Sequence, residues 1–182
     1  MSRSGTGPVG LTERDWLLAR AATASPDASR TSWQAWRAIG DIDSVPDHAF
    51  AFLVAVGARA DDVVPDDEAG RLRGLHRRNW FVTQRLAAVA PAAVVALEQH
   101  GMRSLLFGPL TRLIDTTGTP GWRHTSGIDL LVQCADAREA TRSLRGAGFS
   151  VVTQPTRRAT SVGIVVDANG NTVRVHARLP HV

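Results

Sequence analysis

The sequence is short of several residue types, and each shortage excludes a class of protein. It contains no lysine, no tyrosine and a single cysteine, Cys134. One cysteine cannot form a disulfide within the chain and cannot supply a multi-cysteine zinc site. Without lysine there is no Schiff-base nucleophile and no ammonium group to contact phosphate as a point charge.

Long apolar runs are also missing, which bears on membranes and on location. No run reaches the roughly 18 apolar residues of a transmembrane helix. Residues 1–10 carry one arginine and no apolar segment, so they predict a disordered lead and not a signal peptide. The lone thiol is then expected to stay reduced. Together these features predict a cytoplasmic protein with no membrane partner.

A large net charge is also missing. The chain has 21 basic and 17 acidic residues, a net charge of +4, which makes nucleic acid an unfavoured partner. Five arginines between residues 71 and 85 are typical of a solvated helix face, with an anion-binding stripe as the alternative. At 182 residues and 43% hydrophobic, the chain is long enough for about one domain with a sizeable core.

The first half of the chain has the pattern of a helical region. Thr12 and Asp15 have the spacing of a capping box, and Pro46 with Asp47 is a typical helix opening. Proline inside a helix removes a hydrogen bond, so Pro91 is expected to end one helix and begin the next. The predicted elements are a helix from Thr12, a break at 24–31, a helix at 32–39, a helix from Pro46, an acidic linker at 61–67 and helix over 67–99.

The second half alternates strand and helix patterns. A nearly continuous apolar run at 128–133 predicts an interior strand. Asp136 and Glu139 predict a capping box, and Asp167, Asn169 and Gly170 supply turn chemistry. The predicted elements are strands at 102–107, 128–133, 149–153, 161–166 and 172–179, helices near 110–115 and at 137–146, and a loop at 116–126.

The predicted fold class is therefore α+β (mixed α/β), with an N-terminal helical region followed by a mixed sheet that has helices on one face. The predicted divisions are a disordered lead at 1–10, a helical region at 11–100 and an α/β region at 101–182. The α/β region is expected to form one compact unit with the helical region.

Four short motifs in the second half resemble an uncharacterised nucleotidyltransferase family of the polymerase-β-like superfamily. They are HGMRSLLFG at 100–108, RHTSGIDLLV at 123–132, LRGAGF at 144–149 and VRVHARL at 173–179. The resemblance implies a nucleotidyltransferase-like sheet. In such enzymes strand carboxylates hold Mg²⁺ ions that neutralise charge during phosphoryl transfer, and a glycine turn lets backbone N–H groups approach the phosphates.

The resemblance also implies a set of site residues. Asp129 is the candidate catalytic residue and metal ligand. The candidate ligand-binding residues are Gly108, Arg123, His124, Ser126, Arg174 and His176. Alternatives remain for several: Asp129 paired with arginine, His176 as a structural histidine, and Arg123 with His124 in a solvated loop.

Three departures from the family pattern weaken the metal site. Gly127 stands in place of the first aspartate, Phe107 in place of a lysine, and Arg174 in place of the acid of the last strand. One carboxylate cannot hold two Mg²⁺ ions against their hydration. We therefore expect Arg174 to pair with Asp129 across adjacent strands, as a guanidinium in place of the metal.

Two functions of different classes follow. The first is a pseudoenzyme that binds a partner protein, a peptide or a nucleotide in a bacterial biosynthetic pathway, the setting that the resemblance implies. The second is an active nucleotidyltransferase that acts on a small molecule or peptide with Mg²⁺ and a nucleoside triphosphate, where Asp115 or Asp167 assists Asp129. Two or more carboxylates near Asp129 would favour the enzyme, whereas an arginine there would favour the binding protein. An arginine-faced RNA-binding module is a third alternative.

Partner docking and thiol chemistry leave two further alternatives open. Trp33 and Trp36, three residues apart on one helix, are typical of core packing, with a docking face for a protein or peptide partner as the alternative. Cys134 is expected to be a small core residue and not a nucleophile.

Overall fold

A computed structural model describes residues 11–111, 124–155 and 162–179, and its architecture is α+β, as predicted. The described residues form two compact units. The helical unit contains the residues up to Phe81 together with His124, and the sheet unit contains 82–111, 125–155 and 162–179. The boundary lies inside a continuous helix and not at residue 100, where the change in sequence pattern had suggested it. The predicted lead at 1–10 lies outside the described residues.

The helical elements begin with the predicted capping box. The Thr12 side chain accepts a hydrogen bond from the Asp15 N–H, and the Asp15 side chain accepts one from the Thr12 N–H, so two free N–H groups of the first turn are satisfied. The helices are α1 (Glu13–Thr23), α2 (Pro26–Ile39), α3 (Asp47–Gly57), α4 (Ala60–Val63) and α5 (Asp66–Glu98).

Three predicted features of this region are wrong, two of them for reasons of proline chemistry. Helix α2 begins at Pro26, within the predicted break, because proline in the first turn lacks an N–H that would be unsatisfied there anyway. Helix α5 continues through Pro91, whose neighbours Ala90 and Ala93 are buried in the core. The predicted acidic linker at 61–67 is replaced by α4 and the start of α5.

The core of the helical unit contains the two central tryptophans. Trp33 and Trp36 are fully buried, and their rings stack with centroids 5.0 Å apart. The Trp33 indole N–H donates to Glu68 Oε2 at 2.9 Å, so its polar group is satisfied inside the core. The alternative in which these tryptophans form a docking face is therefore wrong; Trp16, in contrast, is 61% exposed.

The sheet has five strands in the spatial order β1-β2-β5-β4-β3. Strands β2 and β5 are parallel, and the other three neighbouring pairs are antiparallel. The interior position predicted for β2 is confirmed. The strands are β1 (Ser104–Phe107), β2 (Ile128–Val132), β3 (Ser150–Thr153), β4 (Val162–Val166) and β5 (Thr172–His176), with α6 (Ala137–Gly146) between β2 and β3.

The two faces of the central strands differ in chemistry. Side chains alternate along a strand, so Ile128 and Leu130 of β2 lie on one face while Asp129 lies on the other. The first face packs into the core of the sheet unit, which includes Leu97 of α5 and Leu144 of α6. The opposite face carries Asp129 next to Arg174 of β5, as the strand register requires.

The turns around the sheet follow the predictions in part. Gly108 has a φ of +83° directly after β1, a conformation that favours glycine. The β4–β5 turn uses the predicted residues, because Asp167 Oδ1 accepts from the Asn169 and Asn171 N–H groups. Most of the predicted helix at 110–115 and loop at 116–126 lies outside the described residues.

The segment before α6 corrects two predictions. A short 3-10 helix, Cys134–Asp136, places Asp136 in the right-handed helical conformation, so its side chain makes no capping bond and the predicted capping box does not form. Cys134 is exposed and is not a core residue.

Helix α5 bears on the expectation that no segment could cross a membrane. An 18-residue window of α5 has a mean hydropathy of 1.5, so by length and composition alone the helix could span a bilayer. One third of that window is buried. The helix gives Leu72 to the helical unit's core and Leu86 and Leu97 to the sheet unit's core.

Candidate functional site

The candidate site is centred on an ion pair across the two parallel strands of the sheet. Asp129 of β2 lies opposite Arg174 of β5 in the strand register. Arg174 Nε donates to Asp129 Oδ1 at 2.7 Å and Nη2 donates to Oδ2 at 3.0 Å. This is the bidentate geometry that makes arginine–carboxylate pairs strong. The predicted pairing of Arg174 with Asp129 is confirmed.

His176 and Ser126 extend the pair into a cluster of four side chains. His176 lies two residues after Arg174 in β5 and therefore on the same face. Its Nε2 lies 2.9 Å from Asp129 Oδ1, and its side chain is buried. Arg174 Nη1 donates to Ser126 Oγ at 3.2 Å. Both oxygens of the Asp129 carboxylate thus contact cations or ring N–H groups.

Electrostatics keep this carboxylate ionised. Burial alone raises the pKa of Asp129, but the hydrogen bonds from Arg174 and His176 outweigh burial and hold that pKa below its usual value. The hydrogen bonds to Asp129 in turn raise the pKa of Arg174 against the opposing effect of burial. The pair is therefore a charged pair at neutral pH, with the Arg174 side chain 28% exposed and the Asp129 side chain 11% exposed.

The backbone around the pair is closely packed at two glycines. A Cβ at Gly127 would lie 2.9 Å from the Thr172 carbonyl oxygen and 3.2 Å from Arg174 Nη1, so the Arg174 guanidinium occupies space that only glycine leaves open. A Cβ at Gly108 would lie 3.3 Å from Asp129 Oδ2. The predicted glycine turn therefore lies directly beside the Asp129 carboxylate.

Phe107 covers the other side of the cluster. Its ring makes an edge contact with the His176 ring, with centroids 5.0 Å apart. The family pattern has lysine at this position, so an aromatic ring packs where a phosphate contact is expected. This packing supports the alternative in which His176 is a structural, hydrogen-bonded histidine.

The residues present do not fit the Mg²⁺ ions that the resemblance implies. Mg²⁺ requires near-octahedral oxygen ligands, and no group of three or more His, Cys, Asp or Glu suited to a metal occurs within the described part of the chain. The Asp167 carboxylate is bonded to Asn169 and Asn171 in the β4–β5 turn. Asp115, the other predicted assistant, lies outside the described residues. No catalytic step through a metal follows from this arrangement.

Of the two remaining predicted ligand residues, the structure describes only His124. Arg123 lies outside the described residues. His124 belongs to the helical unit, where its Nδ1 lies 3.1 Å from Asn79 Oδ1 and its ring contacts the Phe50 ring edge-on. Burial lowers the pKa of His124, although the charge of Asp47 opposes the shift. His124 is therefore half-buried and hydrogen-bonded outside regular secondary structure, and the anion-binding and solvated-loop alternatives for Arg123 with His124 both stay open.

The arginines of α5 have the environment of a solvated face. Five of them are exposed, and two pair with acids of the helical unit: Arg71 with Asp43, and Arg73 with Asp61. Such exposed pairs contribute little stability. This environment agrees with the solvated-face interpretation, and the anion-binding stripe stays an untested alternative. The five exposed residues are Arg71, Arg73, Arg77, Arg78 and Arg85.

Sequence reasoning missed one contact that the sequence could have indicated. Arg174 and His176 are spaced by two in a strand, so both must point to the face that carries Asp129. That spacing, together with the expected pairing of Arg174 with Asp129, predicts a three-residue cluster and not a simple pair. The packing of Phe107 and the tight approach at Gly127 had no signal in the sequence, because both depend on the order of the strands.

Comparison of the chain with protein-family models, with curated proteins and with solved structures gives no match.

Proposed function

We propose that the protein is a nucleotidyltransferase-fold pseudoenzyme that binds a nucleotide without Mg²⁺ and without turning it over. Its setting is the bacterial cytoplasm, in a biosynthetic pathway of the kind that the resemblance implies. The observation that carries the proposal is the bidentate Arg174–Asp129 pair, with His176 as a third contact to the carboxylate.

The charges explain why metal-independent binding is favoured over catalysis. A guanidinium is a fixed cation that cannot be removed from the carboxylate without leaving a buried charge unpaired. Mg²⁺ would have to displace Arg174 and also lose hydration to gain a single carboxylate. The cluster therefore lacks the two-metal arrangement on which nucleotidyl transfer depends.

The glycine turn supports a nucleotide as the ligand. Gly108 keeps its positive φ and its position beside Asp129, which is where the resemblance implies that backbone N–H groups approach a phosphate. Ser126 is exposed and provides a hydroxyl next to Arg174. These groups support loss of catalysis with retention of binding.

A protein or peptide partner has less support. The sequence argument for such a partner rested on Trp33 and Trp36, and both are buried in the core of the helical unit. The nucleotide is therefore the proposed ligand, and a protein or peptide partner becomes one outcome of the test.

Calorimetric titration of the protein with ATP, GTP, CTP and UTP, each in EDTA and in Mg²⁺, tests the proposal. We expect at least one nucleotide to bind in EDTA, with no gain in affinity from Mg²⁺ and no release of pyrophosphate on incubation. Binding that requires Mg²⁺, or release of pyrophosphate, would instead support the active enzyme. If no nucleotide binds, the proposal fails and the search turns to protein and peptide partners.

A further inference from the structure

A groove at one end of the sheet lies beside the Asp129 cluster and is separate from it. Its volume is about 590 Å³, within the roughly 300–1,000 Å³ of small-molecule sites. Strands β2 and β5 are parallel, and the groove is lined by residues at the carboxyl ends of both. It meets the cluster at Leu131, whose register partner in β5 is His176.

The charged residues among the described lining of the groove are both arginines. Arg103, just before β1, and Arg178, just after β5, both line it and are both exposed. Neither has an ion-pair partner among the described residues, in contrast to Arg174, whose charge is balanced by Asp129. None of the lining residues within the described part of the chain is acidic. Two unbalanced guanidinium groups facing one groove are suited to an anion with several oxygens, such as a phosphate chain.

The rest of the lining provides apolar and polar contacts. Leu105 and Leu131 are register partners on β1 and β2, and Leu105 is 58% exposed beside the groove. Ser104 also lines the groove, but its Oγ is buried away from solvent. Gln133 adds an exposed amide.

We infer that this groove holds the nucleotide, with its phosphate chain between Arg103 and Arg178 and its nucleoside against Leu105 and Leu131. The inference rests on the proposed function and changes where the phosphates lie: they bind at the unbalanced arginines, and not beside Gly108 and the neutralised Asp129–Arg174 pair where the resemblance would place them. The Asp129 cluster then adjoins the ligand site, because Leu131 of the groove and His176 of the cluster are register partners.

The test measures binding of ATP and of inorganic tripolyphosphate, both in EDTA, to matched variants. Arg103→Gln and Arg178→Gln each remove one groove arginine from an exposed position. Arg145→Gln is the control, because Arg145 is an exposed arginine of α6 that does not line the groove and its loss changes the net charge equally. Leu105→Ala tests the nucleoside contact. Circular dichroism verifies that each variant is folded.

We expect each groove arginine substitution to weaken binding of both ligands roughly ten- to hundredfold, as for loss of a charge-assisted hydrogen bond. The Arg145 control should change binding less than about threefold, by screened long-range charge alone. Leu105→Ala should weaken ATP binding and leave tripolyphosphate binding unchanged.

The outcomes separate this inference from the proposed function. If wild-type protein binds ATP and the groove variants bind it equally well, the groove inference is wrong and the proposed function stands. If wild-type protein binds tripolyphosphate through the groove arginines but binds no nucleotide, the phosphate site stands and the nucleotide function is wrong. If neither ligand binds, both are wrong.

Discussion

The Asp129–Arg174 pair should stabilise the sheet far more than an exposed pair does, and a double-mutant cycle measures the difference. The cycle consists of wild type, Asp129→Asn, Arg174→Gln and the double variant. Asp129 accepts two hydrogen bonds from Arg174 and contacts His176, all in a mostly buried site. Breaking a buried pair by removing one partner costs about 3–5 kcal/mol.

The expected loss of stability is smaller than this general value because of the geometry of the Asp129 site. The Arg174 side chain is 28% exposed, so its guanidinium can turn towards water when the carboxylate is lost. Asparagine also keeps one acceptor oxygen for His176 or Arg174. We therefore expect Asp129→Asn to cost about 2–4 kcal/mol, and the coupling energy of the cycle to be about 1–3 kcal/mol.

The matched control is an exposed pair of the same unit. Glu139 and Arg142 pair within α6, with side chains 52% and 63% exposed. A cycle on Glu139→Gln and Arg142→Gln should give a coupling energy of about 0.5 kcal/mol or less, the usual value for exposed helix pairs. Both cycles then report on the same folded unit.

The assay must report on the sheet unit. All five tryptophans lie at residues 16, 33, 36, 80 and 122, so none belongs to β2 or β5 and a probe within those strands is needed. Hydrogen exchange of the β2 and β5 amides, measured by mass spectrometry, gives the opening free energy of the strands directly. A coupling energy for Asp129 and Arg174 no larger than that of the control would refute the reasoning.

Three further predictions follow from the same contacts. Gly127→Ala should destabilise the sheet unit by about 1–3 kcal/mol, because the new Cβ meets the Thr172 carbonyl oxygen. Gly146→Ala, which has open space around it, should instead stabilise α6 by about 0.5–1 kcal/mol. Hydrogen exchange compares the two variants, and equal effects on stability would contradict the close packing at Gly127. Trp33→Phe should lower the free energy of unfolding by about 1–3 kcal/mol through loss of the indole contacts. Trp16→Phe, at an exposed position, should change the free energy of unfolding by less than about 0.5 kcal/mol. Thermal melting followed by circular dichroism compares the two, and similar melting temperatures would be inconsistent with the buried stack. The pKa of Asp129 in the folded protein lies below its unfolded value of about 3.9, so the stabilisation by its carboxylate is present above that pH and is lost as the pH falls through the folded pKa. The opening free energies of wild type and Asp129→Asn, measured by hydrogen exchange, should therefore differ more at pH 6 than near pH 3. An equal difference at both pH values would contradict the ion pair.

Local chemistry predicted the elements whose signals are local. The capping box at Thr12 and the turn at Asp167 each need only a few adjacent residues, and both form as predicted. The interior position of β2 followed from its apolar run. Such a prediction failed where a neighbouring element changed the backbone. At Asp136 a 3-10 helix sets helical dihedral angles before α6, so the predicted capping bond does not form.

Proline was the main source of wrong boundaries. Pro91 was expected to break the helix, but a proline removes only one hydrogen bond and the ideal geometry of one turn, and buried residues on either side keep α5 continuous. Pro26 lies in the first turn of a helix, where its ring favours helix formation. Position within the helix, which sequence alone does not fix, decided the effect in both cases.

Part of the candidate site was predictable and part required the strand order. The Asp129–Arg174 pair was expected because the resemblance aligned an arginine with an acid of the last strand, and the strand register brings the two side chains together. The groove was not predicted, because Arg103 and Arg178 are 75 positions apart and meet only when β1, β2 and β5 become neighbours.

The most direct test of the central claim, that a guanidinium occupies the metal's place, is a titration of the wild-type protein with Mn²⁺ followed by electron paramagnetic resonance. Mn²⁺ takes the oxygen ligands that Mg²⁺ prefers, and its free form gives a strong signal. We expect Mn²⁺ to remain unbound by the protein in the absence of nucleotide. Binding of Mn²⁺ with defined stoichiometry in the wild type, abolished by Asp129→Asn, would contradict it.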